Sequence, residues 1–383
     1  MFHFIRPSLT RWLGGMLVLL VLSFTYSNYK EVIDSQDAVQ KSSNLPAMSN
    51  IVKQNYISEL VTKERMFINE NLLNYPTLKL SNLKKNIMEK GGRPTTSLLV
   101  SSWRSGSSFV GKILSSHPVS LYHYEPLHQY GLVRLRSGAV AERAVSLVSS
   151  LLHCEYSGLE QFLDYQRTQA QNKRLWDSCT RGGVNGTGSQ AVCFQPQFAA
   201  QFCQLFPFQA VKTVRLRLSL TESLIQDQRL DVRAVLLVRD PRAVLESRKH
   251  KKDFFKNCSD CQNPEVLCSD MFEDFLAAKS LMKKYPGRYK VIRYEDLVKN
   301  PLKISEDMFK FYKIPFHRDV IQFVLSNSQD TGLRWMKGLP GREILEIQDK
   351  CEDAMQAWGY NLVKEGEDMD KMDENLTIGD FKI

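Results

Sequence analysis

Short apolar runs alternate with stretches whose apolar positions recur every three or four residues, and this alternation holds from about residue 95 to residue 358. The runs predict strands over 95–102, 119–124, 210–214, 233–238 and 289–293. The periodic stretches predict helices over 108–115, 140–152, 242–251, 272–284, 301–312 and 342–358. Strand and helix in turn imply an α/β domain with a mostly parallel sheet flanked by helices. In such sheets ligands sit beyond the carboxyl ends of the strands. Residues 27–93 differ. They are polar, rich in Asn, Lys and Ser, and show no sustained period. They read as a stem with one helical part over 57–73, closed by Gly91-Gly92-Arg93-Pro94. Residues 12–26 are apolar, behind a start that carries Arg6 and Arg11 and has no acid before Glu31. That pattern reads as a single-pass signal anchor with residues 1–11 in the cytosol and the body in the lumen. The layout is therefore a tail (1–11), an anchor (12–26), a stem (27–93), a catalytic-size domain (94–362) and an acidic end (363–383).

Two segments repeat one design. Val100-Ser101-Ser102-Trp103-Arg104-Ser105-Gly106-Ser107-Ser108-Phe109 and Val238-Arg239-Asp240-Pro241-Arg242-Ala243-Val244-Leu245-Glu246-Ser247 each run from a strand through a polar turn into a helix. Each sets hydroxyls and arginine where a helix N-terminus meets an anion. Two such units imply a ligand with two phosphate-like groups. Gly106 to Lys112 comes close to the P-loop pattern, but Ile113 stands where a magnesium-binding hydroxyl belongs. The pattern suits a nucleotide whose transferred group needs no such metal. The net charge of +9 fits an acidic ligand. No basic run with interleaved aromatics points to nucleic acid. Eight cysteines and sequons at Asn185, Asn257 and Asn375 fit an oxidising lumen. Cys258-x-x-Cys261 with Cys268 also admits a zinc reading, but the spacing to a fourth ligand favours disulfides.

The first segment, Trp103-Arg104-Ser105-Gly106-Ser107-Ser108-Phe109, resembles the 5′-phosphosulfate loop of Golgi carbohydrate sulfotransferases. The second, from Arg239 to Ser247, resembles their 3′-phosphate segment. Tyr124-Glu125-Pro126-Leu127, Arg293-Tyr294-Glu295-Asp296-Leu297 and Cys351-x-x-x-Met355-x-x-x-Gly359-Tyr360 extend the likeness to the galactose/N-acetylglucosamine/N-acetylgalactosamine 6-O-sulfotransferase group over about 95–360. The resemblance implies a single-pass type II Golgi membrane glycoprotein. Its donor would be 3′-phosphoadenosine 5′-phosphosulfate, and its acceptor a glycan or proteoglycan. It implies that the first loop binds the 5′-phosphosulfate and that Arg239 and Ser247 hold the 3′-phosphate. Arg104 is expected to neutralise the leaving phosphate, with Lys212 and Arg215 adding positive charge. Glu125 is the expected base toward a primary hydroxyl, with His123 and His128 as competitors. Glu295 and Asp296 read as helix caps. A P-loop kinase and a non-catalytic glycan-binding protein are the competing functions. The sequence names neither the sugar nor the oligomeric state.

Overall fold

The computed structural model describes residues 50–73, 80–169, 171–172, 174–175, 192–258, 260–328 and 335–364. The anchor over 12–26, the acidic end, Cys179 and the sequons at Asn185 and Asn375 lie outside them. Among the described residues no helix is long and apolar enough to cross a membrane.

Five parallel strands form one sheet in the order β2-β3-β1-β4-β5. They are β1 (Thr95–Ser101), β2 (Ser120–Tyr124), β3 (Phe208–Thr213), β4 (Asp231–Val238) and β5 (Tyr289–Arg293). β1 lies centrally, with Leu98 opposite Val211 of β3 and Ala234 of β4. Every residue of β1 is buried, as expected of a strand covered by helices on both faces. The helices include α1 (Asn50–Leu73), α2 (Ser107–Ser115), α3 (Gly138–Leu152), α4 (Pro241–Lys249), α5 (Pro264–Lys284), α6 (Tyr294–Lys299), α7 (Pro301–Tyr312), α8 (Arg318–Asn327) and α9 (Gly341–Ala357). The parallel, helix-flanked sheet matches the α/β expectation.

Chain order explains where a ligand fits. From β1 the chain moves outward to β2 and back to β3, then crosses to β4 and β5 on the other side. Connections leaving in opposite directions open a crevice at the carboxyl ends of the central strands. The two anion-type loops follow β1 and β4, which are direct neighbours.

Part of the predicted stem is a packed element instead. Ile57, Leu60, Val61, Ile68 and Leu72 of α1 are buried in the same core as the sheet. The Arg174 guanidinium lies 4.5 Å from the Phe67 ring centroid. The apolar positions of α1 keep a three-to-four spacing, but Asn, Lys and Glu between them dilute it below notice. Disulfides Cys154–Cys203, Cys258–Cys261 and Cys268–Cys351 staple the domain. Cys193 is also disulfide-bonded. The three sulfurs of the zinc reading are thus consumed, and no metal-type cluster occurs among the described residues. Asn257 is exposed beside Cys258.

Candidate active site

The first loop turns on Gly106. Its φ of 86° lies in the left-handed region, where glycine alone is unstrained. A side chain there would also collide with Tyr294, since a Cβ would sit 2.2 Å from the ring. The chain thereby enters α2 with the backbone N–H groups of Gly106, Ser107 and Ser108 making no hydrogen bond among the described residues. A helix N-terminus with free N–H groups is an anion cradle. Ser105 hydroxyl lies 2.7 Å from that of Ser102. Ser107 is buried, and Ser108 is exposed. Phe109 packs near Phe323 of α8. Ile113 is fully buried, so the magnesium position of a P-loop is apolar core here. Replacing Gly106 by Ala is expected to lower the melting temperature and to weaken nucleotide binding together, because the turn and the Tyr294 contact fail at one point. Differential scanning fluorimetry with and without 3′,5′-adenosine bisphosphate measures both.

The second loop meets the first. Arg239 Nη1 donates to the Arg104 carbonyl at 3.0 Å, and Arg104 Nε donates to Ser247 Oγ at 2.9 Å. The eight-residue interval from Arg239 to Ser247 spans one turn of chain and two turns of α4, and both ends reach Arg104. Arg104 itself has φ 71°, an uncommon value for a side-chain-bearing residue. Burial and the neighbouring Arg239 both push its pKa down. Two guanidinium groups held this close favour an anion between them. Arg104 therefore stands with the Arg239–Ser247 pair. Arg239 also lies 4.7 Å from the centroid of the Tyr294 ring, the ring that packs on Gly106.

The rest of the second segment points inward. Arg242 is fully buried. Its guanidinium pairs with Asp240 at 2.6 Å, donates to Gln348 Oε1 at 2.6 Å and stacks on Trp335. The structure thus takes Arg242 away from the crevice, because its position on α4 faces the core. Asp240 is spent on Arg242 and on capping α4. Pro241, Ala243, Val244 and Leu245 are buried on the same helix. Glu246 bonds His250 at 2.5 Å. Trp103 belongs to a small satellite core with Val214, Phe255 and Cys261. Arg248, which sequence reasoning passed over, donates to the Trp103 carbonyl at 3.2 Å and to the Cys261 carbonyl at 2.6 Å, tying the first loop to the Cys258–Cys261 disulfide.

Glu295 is not a helix cap. Its carboxylate accepts the Asp240 N–H at 3.0 Å and the Tyr360 hydroxyl at 3.0 Å, clamping the end of β4. Asp296 pairs with Arg293. Burial, aided by Asp240, pushes the Glu295 pKa up to about 7. A raised carboxyl pKa favours the protonated form in the folded state. Its contribution is full below the unfolded value near 4.5 and is lost as pH rises through about 7. Glu295→Gln is therefore expected to gain stability relative to the wild type as pH rises from 5 to 8. Urea melts of both proteins across that range measure the difference.

A third group lies at the ends of β2 and β3. Tyr124 pairs in register with Lys212, and the chain turns at Glu125 with φ 46°. The buried Glu125 carboxylate binds Lys212 Nζ through one oxygen and Arg215 Nη1, at 2.8 Å, through the other. Arg215 lies 5.5 Å from the Trp103 ring centroid, so one guanidinium spans the carboxylate and the first loop. The competing histidines are placed less well. His123 is fully buried near Tyr156 and Phe162, and desolvation pushes its pKa down to about 4. His128 stacks on Tyr165 at 3.9 Å, and burial with Arg215 lowers its pKa. The segment carrying Tyr165 is anchored to the same place. Gln166 Nε2 donates to the Tyr124 carbonyl, and Asn172 Oδ1 accepts the Tyr124 N–H.

The sulfotransferase domain matches residues 94–351 of this chain. The chain belongs to the sulfotransferase domain family. Among curated relatives, mouse carbohydrate sulfotransferase 1 is 25% identical over 377 residues, covering 80% of this chain and 91% of the relative. Human carbohydrate sulfotransferase 6 is 27% identical over 321 residues, covering 70% of this chain and 80% of the relative. Among solved structures, the sulfotransferase domain of the Synechococcus PCC 7002 olefin synthase is 18% identical with a TM-score of 0.38, covering 68% of this chain and 94% of that one. The resemblance carried by the two loops thus identified the family of this sulfotransferase.

Proposed function

We propose that this sulfotransferase transfers the sulfuryl group of 3′-phosphoadenosine 5′-phosphosulfate to the 6-hydroxyl of a galactose, N-acetylglucosamine or N-acetylgalactosamine residue in a glycan or proteoglycan. The observation that carries the reading is the junction of three elements: the free N–H cradle at Gly106–Ser108, the Arg104–Ser247–Arg239 contact, and Glu125 bridged to the first loop by Arg215. The residues fit a donor with two anionic ends. The α2 N-terminus suits the 5′-phosphosulfate, and Arg239 with Ser247 suits the 3′-phosphate. Arg104 belongs to the first loop while its guanidinium bonds Ser247, and in this reading it supplies the positive charge that stabilises the departing phosphate oxygen. The names of the curated relatives support a sugar acceptor.

In this reading the sugar hydroxyl oxygen forms the new bond to sulfur while the bond from sulfur to the phosphate oxygen breaks. Glu125 takes the hydroxyl proton, and the electron pair leaves on the phosphate. As the proton arrives, Lys212 and Arg215 lose a charged partner and face the sulfuryl oxygens. An anchor over 12–26 in the Golgi membrane, with the disulfide-bonded domain in the lumen, completes the proposal. Transfer of radiolabelled sulfate to a panel of galactose-, N-acetylglucosamine- and N-acetylgalactosamine-terminated glycans tests it. Label at a sugar 6-position is expected. Label at another ring position overturns the regiochemistry, and no transfer despite nucleotide binding overturns the acceptor class.

A further inference from the structure

At the amino ends of β1, β4 and β5, opposite the loops just described, lies an open concavity of about 550 Å³. Its lining includes Lys85, Arg93, Arg233, Arg288 and Lys313, against a single carboxylate, Asp231. That carboxylate is already shared. It binds Arg288, lies 3.6 Å from Arg233 Nη2 and accepts the Thr95 hydroxyl. Lys85 and Lys313 are exposed and make no ion pair among the described residues. Arg233 is only 7% exposed. It donates from Nη1 to the Gly287 carbonyl at 2.7 Å, while its buried Nε makes no hydrogen bond among the described residues. That buried donor faces no open surface, so the capacity for an anion rests on exposed Lys85 and Lys313 beside the guanidinium groups of Arg93 and Arg288.

The lining also narrows the ligand. Guanidinium groups are forked donors that match the oxygens of sulfate and carboxylate. No aromatic side chain lines the concavity, so nucleic acid bases would find no stacking platform. Pro286 is its one apolar side chain among the described residues, too little to insert into a bilayer.

We propose that this concavity binds an already sulfated stretch of the glycan chain, about 20 Å along β1 from the donor crevice. The identity of the ligand rests on the carbohydrate reading above; the site itself rests on the lining. A sulfotransferase that grips its own product chain would act faster on long, partly sulfated acceptors than on short neutral ones.

The test uses the full chain in detergent with saturating 3′,5′-adenosine bisphosphate and a fluorescent, fully sulfated glycosaminoglycan hexasaccharide. Lys85→Glu/Lys313→Glu is expected to weaken binding at least tenfold near 0.15 M salt and to lower the salt slope by about 2. Its melting temperature and its activity on a neutral disaccharide should match the wild type. Unchanged affinity overturns the proposal. So does loss of binding in Arg239→Ala instead, which would put the hexasaccharide in the donor crevice. Tighter, variant-sensitive binding of a DNA oligonucleotide or of anionic vesicles overturns the choice of a glycan. If the wild type transfers sulfate to no glycan, the catalytic reading fails while the binding measurement still decides this site.

Discussion

Glu125→Gln is expected to lower kcat by about a thousandfold while leaving the Kd for 3′,5′-adenosine bisphosphate within twofold of the wild type. General-base catalysis contributes roughly 100- to 10,000-fold, and Glu125 is the carboxylate joined through Arg215 to the first loop. Glutamine keeps the shape and an accepting oxygen but cannot take the proton. A structural penalty accompanies this. Removing the charge strands Lys212 and Arg215, both buried, and breaking a buried pair costs about 3–5 kcal/mol. The melting temperature should therefore fall as well. The nucleotide Kd separates the two effects, since a collapsed site would lose the ligand too. If kcat survives in Glu125→Gln, the base lies elsewhere, and His128 is next in reach.

Arg239→Ala is expected to raise the nucleotide Kd by about a hundredfold. Charge-assisted contacts to phosphate are the strong class of hydrogen bond. Here the guanidinium also supports the Arg104 carbonyl and rides on Tyr294. Losing it would loosen the first loop as well as remove the proposed 3′-phosphate contact. Arg242→Ala should behave differently. That guanidinium is bonded to Asp240 and Gln348 in the core, so the variant should lose stability before it loses affinity. Isothermal titration of both variants, paired with thermal melts, gives the contrast. Equal losses of affinity in folded Arg239→Ala and Arg242→Ala would mean that the inward placement of Arg242 is not what the ligand meets.

That contrast marks where sequence reasoning stopped. The strands were legible because fully buried parallel strands are almost uninterrupted apolar runs; β5 matches its expected range, and β1 differs by one residue at its end. The two loops were legible because they pair special residue types with a strand-to-helix junction. Which face of α4 looks outward was not legible. Arg242 lies on that helix, and what turns it inward is packing against Trp335 and Gln348, residues far along the chain. Helix α1 was underread because its buried positions are spaced correctly but embedded in polar sequence. Glu295 gave the wrong role because an acidic residue early in a helix suggests a cap, while its partners Asp240 and Tyr360 are far away in sequence. Lys212 and Arg215 were named, yet their bond to Glu125 depends on β3 lying beside β2, a neighbour relation the order of elements does not reveal.

The strand order has a bearing on how such an enzyme could be altered. In the reading proposed above, the nucleotide side lies at β1 and β4, and the sugar side at β2 and β3 with the segment carrying Tyr165 and Asn172. Arg215 against Trp103 is a narrow seam between them. Acceptor choice can then drift, or be grafted, by exchanging the loops beyond β2 while the nucleotide side stays untouched. In that reading one half would work as a fixed power socket, the other as an interchangeable tool head.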